Sequence, residues 1–261
     1  MQCEDADPIV FDLGTGLRNL GRQWPADRPF RGHALVSHLH WDHIQGLPFF
    51  DPILRPGSSL DVYGPAAEGL GLGEAFDQFM RRPFFPVTIA DLAGTIRFHD
   101  TEPGTFTIAD AVVTARVVPH TGRTFGYRLE AEGVSVAYIS DHQQPGVDDH
   151  SVAPDVLELC RGVDLLIHDA QYDAATFVPK ADWGHCTVDY AVAVAQASGA
   201  TRLALFHHDP ANDDTRLEEL LDDARRRARS TPALEVLLAA EGLTLELKAE
   251  TAMPGERVAR N

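Results

Sequence analysis

Short apolar, β-branched runs bounded by polar and turn-forming residues recur along this chain, and their period of two predicts strands. They fall at residues 9–12, 34–37, 60–63, 95–98, 111–118, 124–130 and 134–140, then at 164–168, 202–206, 234–238 and 243–247. Two segments read as helices. Thr187 can cap the first, which runs to Gly199 and is apolar on several sides, as a buried helix is. The second opens on a capping-box pattern, Thr215 with Glu218, and repeats Leu217, Leu220, Leu221 and Ala224 at helical spacing. Its polar side carries Arg225, Arg226, Arg227 and Arg229, a solvated face that complements the negative end of the helix dipole. Strands in runs with helices between them, and polar loops carrying His and Asp at the strand ends, imply two sheets packed face to face with helices outside. The expected organisation is one domain over residues 1–250 and a frayed tail over 251–261.

Composition changes this picture little. A hydrophobic fraction of 44% suits a sizeable core. No apolar run approaches the roughly 18 residues that cross a bilayer, and the opening residues lack the basic flank and apolar stretch of a secretory signal. Cys3, Cys160 and Cys186 are sparse and irregularly spaced, which argues against a disulfide framework. The expectation is a cytoplasmic protein with no membrane partner. Charge adds more. The formal net charge of −17 repels a long polyanion, so no dedicated nucleic-acid binding is expected. A small anionic substrate is less affected, because fields are screened beyond ~8 Å at physiological salt and bound cations are not in the formal count.

The candidate chemistry lies at the strand ends. Leu35 and Val36 lead into His38-Leu39-His40-Trp41-Asp42-His43, so the chain leaves a buried strand as the histidines arrive. Residues two apart in an extended backbone face the same way. His38 and His40 can thus converge on one ion, while Asp42 and His43 fall in the following turn and reach a second. Nitrogen and carboxylate ligands suit zinc, iron or manganese.

That run resembles the His-x-His-x-Asp-His signature of the metallo-β-lactamase superfamily, and further motifs follow in order. Asp12 in Phe-Asp-Leu-Gly-Thr-Gly resembles the first-motif Asp, which orders the metal loop by hydrogen bonds. By the same resemblance His120 completes a site with His38 and His40, Asp141 bridges two ions, and His207 joins Asp42 and His43. His208 stands beside His207; strand parity does not separate the two, and the resemblance favours His207. Segments 125–130, 165–170 and 184–187 are similar to the ribonuclease Z and small phosphodiesterase branch. This likeness implies that His185 is a non-ligand catalytic histidine oriented by Asp169, with Asp42 the third residue counted as catalytic. Cys186 stands where serine is usual and is read as a non-ligand. Only eight residues precede the first strand, whereas relatives open with an extra hairpin. That implies an abbreviated start and a sheet edge either uncovered or paired with a partner, and family likeness points to a homodimer. The span between His43 and His120 lacks the long basic arm with which ribonuclease Z holds tRNA; its short Gly69-Leu-Gly-Leu-Gly73 is flanked by Glu68 and Glu74.

The fold the resemblance implies is an α/β four-layer αββα sandwich. Two divalent ions, zinc first and manganese or iron as alternatives, bring +4 against −2 from Asp42 and Asp141, so the pocket stays cationic inside an acidic protein. The expected function is a metal-dependent hydrolase, a phosphodiesterase acting on a small phosphodiester such as a cyclic nucleotide by attack of metal-generated hydroxide. Hydrolysis of a lactone, lactam or thioester uses the same site, and a non-catalytic metal-bound sensor or binding protein is the reading from another class. Trp41, Phe49, Phe50, Phe84 and Phe85, with Pro48, Pro83 and Pro86, read as core or interface packing before a base-stacking pocket. His142 reads as a pocket-lining or a solvated loop residue. His33, His99, His150 and His168 read as structural.

Overall fold

Every strand predicted from the hydrophobic pattern except the last is present, and together they sort into two sheets. The structure is a computed structural model that describes residues 1, 6–66 and 69–249. Cys3, Glu68 and the tail expected over 251–261 lie outside the described residues. The first sheet is wholly parallel, in the order β1 (Ile9–Phe11), β2 (Arg31–Leu35), β3 (Ser59–Gly64), β4 (Thr95–Asp100). The second comprises β5 (Gly104–Ile108), β6 (Ala111–Val117), β7 (Phe125–Ala131), β8 (Val134–Ile139), β9 (Leu165–Asp169), β10 (Arg202–Phe206) and β11 (Glu235–Leu238). Its first four strands form an antiparallel meander and its last four run parallel.

Parallel neighbours need crossover connections, and helices supply them. α1 (Gly16–Gln23), α2 (Trp41–Ile44) and α3 (Leu72–Phe79) lie on the first sheet's side. α4 (Pro154–Cys160), α5 (Ala174–Phe177), α6 (Val188–Ser198) and α7 (Asp214–Ala228) belong to the second half. Alternation along each strand divides the core. Ala34 and Val36 pack with Leu47 and Phe76 beneath the helices, whereas Leu35 joins Val113, Phe125 and Tyr127 between the sheets. Leu166 meets Val156, Ala191 and Val194, while its neighbours Leu165 and Ile167 face the opposite side. The result is the expected αββα sandwich. Among the described residues no helix is long and apolar enough to cross a membrane.

α6 starts and stops where the sequence predicts. The Thr187 hydroxyl accepts the Tyr190 amide at 3.1 Å, and Gly199 adopts the left-handed conformation at φ 71 that closes the last turn. Two other expectations are corrected. α7 is capped by Asp213, whose carboxylate accepts the Arg216 amide at 2.8 Å, so Thr215 already sits inside the first turn. Asp and Thr cap in the same way, and composition alone did not separate them. Residues 243–247 form no strand. Leu245 and Leu247 satisfy their alternation by packing against the Val136, Leu165 and Ala204 cluster, with no ladder partner. β5 and five of the helices carry too short or too polar a pattern for period alone to reveal them.

The α7 cap gives the first test. Asp213→Ala should lower the unfolding free energy by ~1 kcal/mol, and Thr215→Ala by much less. A urea midpoint that moves only for Thr215→Ala would return the cap to that residue.

Candidate metal centre

Ligands in sheets built this way gather beyond the carboxyl ends of parallel strands, and these strand ends are where the His and Asp residues stand. β1 delivers Asp12, β2 delivers Ser37, His38 and His40, and β8 delivers Asp141. β9 ends on Asp169, β10 on Phe206 with His207 next, and the loop after β6 carries His120. His40 is still extended and serves as the N-cap of α2, whose single turn brings Asp42 and His43 back towards the strand ends.

Asp12 is the hub. It is buried at φ 56, a left-handed conformation that few non-glycine residues adopt. Its Oδ1 accepts the Ser37 amide at 2.6 Å, and its Oδ2 accepts the Ser37 hydroxyl at 2.9 Å and the Tyr138 hydroxyl at 2.8 Å. Nδ1 of His43 lies 2.7 Å from the same Oδ2. Donation from Nδ1 turns Nε2 of His43 towards the pocket, the orientation that a hydrogen-bonded imidazole ligand requires.

Three overlapping groups of donors converge there, one of them made of Asp141, His185 and His207. Nε2 of His38 lies 2.8 Å from Nδ1 of His40, and Nε2 of His120 lies 3.3 Å from that same atom. With Asp141 they form one cluster whose donor atoms lie within 4.8 Å of one another. Asp42, His43 and His207 form the second, with Nε2 of His207 at 3.1 Å and Nε2 of His43 at 3.2 Å from Oδ2 of Asp42. Asp141 stands between them. Its Oδ2 is 3.8 Å from His38, 3.7 Å from His120 and 3.7 Å from His207, and its Oδ1 is 3.2 Å from Nε2 of His43.

The donor set fits divalent cations on a structural observation. Nε2 of His43 and Oδ1 of Asp141 are buried, close together, and make no hydrogen bond among the described residues. Two lone-pair atoms so placed are costly without a shared cation or proton. Electrostatics separate the two groups. Burial, helped by the neighbouring His43, lowers His38 to about 3, and burial also lowers His40 and His120. Those imidazoles are neutral and ready to donate. In the second group burial also disfavours charge, but carboxylates outweigh it. Asp12, Asp141 and Asp42 raise His43, and Asp42 and Asp141 raise His207 to about 9. Asp42 is pulled below the ordinary carboxylate range by its hydrogen bond with His207 and by the adjacent His43 imidazole. Asp141 is also lowered, its burial overcome by His43 and His207.

His185 lies against both groups. Its ring stacks on His207 at 4.9 Å, and Nδ1 lies 2.9 Å from Oδ2 of Asp169 and 3.8 Å from Oδ2 of Asp141. Asp169 is itself fixed by the amides of His142 and Gln171, at 2.9 and 3.0 Å. All the residues predicted for the site are therefore brought together. His208 is not among them. It turns away, with Nε2 3.2 Å from the Ala239 carbonyl.

Several supports escaped the sequence reading. The Gln171 carboxamide meets Nδ1 of His207 at 2.9 Å, and the Gly184 carbonyl meets Nδ1 of His120 at 2.7 Å. Gly184 is at φ 94, and a Cβ there would lie 2.4 Å from the His120 ring, so this close approach requires glycine. Pairing by carbonyls and carboxamides leaves no spacing signature. His142 was expected in the pocket or in solvent and is in neither. It is fully buried, with Nδ1 3.0 Å from Nε2 of His168. Cys186 is buried and its Sγ donates to the Asp169 carbonyl at 3.0 Å, outside both donor groups. Phe50 is core, whereas Trp41, Pro48, Phe49, Phe84 and Phe85 line a separate apolar cavity of about 540 Å³.

Two measurements follow from this geometry. A cation entering the Asp42, His43 and His207 group displaces protons, because at neutral pH the raised imidazoles are charged. Affinity there should climb with pH by about tenfold per unit for each proton displaced, and the slope should ease by one proton near 9, the titration of His207. Affinity at the His38, His40 and His120 group should stay nearly flat across the neutral range. Metal titration calorimetry at several pH values reads both, and identical slopes would contradict the assignment. Separately, His207→Ala should lower bound metal by elemental analysis while His208→Ala should not. The reverse result would move the ligand by one residue.

Comparison with known proteins agrees with this fold. Residues 9–208 match the beta-lactamase superfamily domain. An uncharacterized protein of Mycobacterium tuberculosis is 31% identical over 236 residues, covering 86% of this chain and 77% of that protein. Ribonuclease BN of Escherichia coli is 26% identical over 260 residues, covering 83% of each. Among solved structures, human tRNase Z, short form, superposes with a TM-score of 0.65 at 23% identity, over 95% of this chain and 91% of that one. With its αββα sandwich and its His and Asp cluster at the strand ends, this chain belongs to the metallo-β-lactamase superfamily of metal-dependent hydrolases.

Proposed function

We propose that the protein is a dinuclear-metal phosphodiesterase acting on a small phosphodiester such as a cyclic nucleotide. Its two divalent ions, zinc foremost, would be held by His38, His40 and His120 on one side and by Asp42, His43 and His207 on the other, with Asp141 between. The observation that carries this reading is the His185–Asp169 pair, a proton-transfer dyad set directly against the two donor groups. A protein that only bound metal would have no use for it. Likeness to a ribonuclease adds support, since ribonucleases act on phosphodiesters.

When bound, the ions supply a water of lowered pKa and positive charge for the phosphoryl oxygens. The chain's residues do the remaining work. Asp169 accepts from Nδ1 of His185, which leaves Nε2 free to carry a proton to the departing oxygen. Asp12 holds His43 in the tautomer that presents Nε2. A cleft of about 700 Å³ opens over Asp42, His43, His185 and His207, a volume that suits a small substrate. Between His43 and His120 the described residues supply α3 and the apolar cavity in place of a basic arm. Long nucleic acids are therefore outside this proposal.

The test is leaving-group dependence. His185→Ala should keep its metals and lose about 10²–10⁴-fold in kcat on a cyclic nucleotide. It should lose far less on a p-nitrophenyl ester, whose phenolate departs with little help. Asp169→Asn should follow the same pattern more mildly. Equal losses on both substrates would remove His185 from proton transfer. Wild-type turnover of a lactone or a cephalosporin with none of either phosphodiester would overturn the proposal itself.

A further inference from the structure

One cation in the cleft has no part in the metal groups. Among the described residues lining it, Lys180 is the one lysine or arginine. Its Nζ lies 2.8 Å from Oδ2 of Asp209, 4.7 Å from the centre of the Tyr172 ring and 5.5 Å from that of Trp183. Each contact ties it to the reacting centre. Asp209 follows the ligand His207 by two residues, and the Tyr172 ring stands 6.0 Å from the ring of His185. The segment is also pinned. The Trp183 amide donates to the Lys180 carbonyl at 3.0 Å, and Gln143 bonds both the Ala181 carbonyl and the Gly184 amide.

Stability does not account for this arrangement. A partly exposed ion pair contributes about 0–1 kcal/mol, and holding a lysine in one geometry costs entropy. An ammonium has three donors, of which Asp209 takes one, so acceptor capacity remains. Trp183 is 60% exposed, a large apolar surface left in water at the rim of the cleft. A cation beside an exposed ring is suited to a ligand with an oxyanion and a flat aromatic group, as nucleotides have.

We propose that Lys180, tethered by Asp209, and Trp183 form a leaving-group subsite that takes a nucleotide unit carrying a phosphate of its own, next to the scissile bond. The preferred substrate is then a small phosphodiester that carries a second phosphate; a plain cyclic nucleotide is turned over with this subsite unfilled. The subsite lies on the leaving-group side because it adjoins His185. It rests on the phosphodiesterase reading for its purpose, but its chemistry is measurable without turnover.

The experiment measures binding of adenosine 3′,5′-bisphosphate and of adenosine 5′-monophosphate to the metal-loaded protein by calorimetry. One phosphate is common to both probes, so their ratio isolates the second. Wild type should prefer the bisphosphate by roughly tenfold or more, the effect of a charge-assisted contact. Lys180→Gln should abolish the preference and Lys180→Arg should retain it. Asp209→Asn, which frees the ammonium, should retain or increase it. Trp183→Ala should weaken both probes alike. If Lys180 served only to satisfy Asp209, Lys180→Gln would leave the ratio unchanged, and that result overturns the subsite. A Lys180-dependent preference in a protein that hydrolyses no phosphodiester would uphold the subsite while refuting the proposed reaction. Phosphodiester hydrolysis without any bisphosphate preference would do the opposite.

Discussion

The buried carboxylate of Asp12 is the constraint on which the site depends. It joins β1, the end of β2, the α2 turn and β8 through contacts with Ser37, His43 and Tyr138. Those elements come from both sheets, so the same group that aims His43 also fixes how the sheets meet at this edge. A left-handed backbone at a non-glycine residue costs roughly 1–2 kcal/mol. Hydrogen bonds to a charged group contribute about 1.5–3 kcal/mol each, so several of them hold Asp12 where it is. Without those donors a buried carboxylate would be strongly unfavourable. The network is therefore satisfied as a whole, and its members are not interchangeable.

From that anchor the two donor groups acquire different characters. At His38, His40 and His120 desolvation outweighs the pull of Asp141, and neutral imidazoles result. His43 and His207 sit among Asp12, Asp42 and Asp141, and the negative field draws positive charge to that side. Protons are the weaker way to supply it. A divalent cation brings more charge and satisfies the orphaned Nε2 of His43 and Oδ1 of Asp141 together. The same field thus explains both the raised imidazoles and the fit to a metal.

Much of this was legible in the sequence because its signals are local. His38 to His43 lie in one run, and leaving a strand into a turn is enough to divide them between two donor groups. The strands were visible by alternation, and α6 by its Thr187 and Gly199 ends. What was hidden depends on contacts across the chain. Nothing near Gln171 marks it as a partner of His207, and Gly184 reads as a loop glycine until its contact with His120 is seen. The choice between His207 and His208 needed a backbone angle, φ 53 at His207, which strand parity cannot supply. His142 failed for a related reason. A paired buried histidine and a solvated one look identical in sequence.

The acidity of the chain bears on its substrate less than the bulk charge implies. Carboxylates beyond a screening length of ~8 Å contribute little in the cleft. Most of those inside it are answered locally: Asp12 by its donors, Asp42 and Asp141 by the imidazoles, and Asp209 by Lys180, while Glu241 at the rim takes, among the described residues, only the Asn19 carboxamide. With the proposed cations bound, a small anion in the cleft would meet a balanced or positive surface, while a long polyanion that extended past it would meet the uncompensated exterior. Under the proposed function, net charge acts as a filter on substrate length, and the reacting chemistry is set by the few groups at the strand ends.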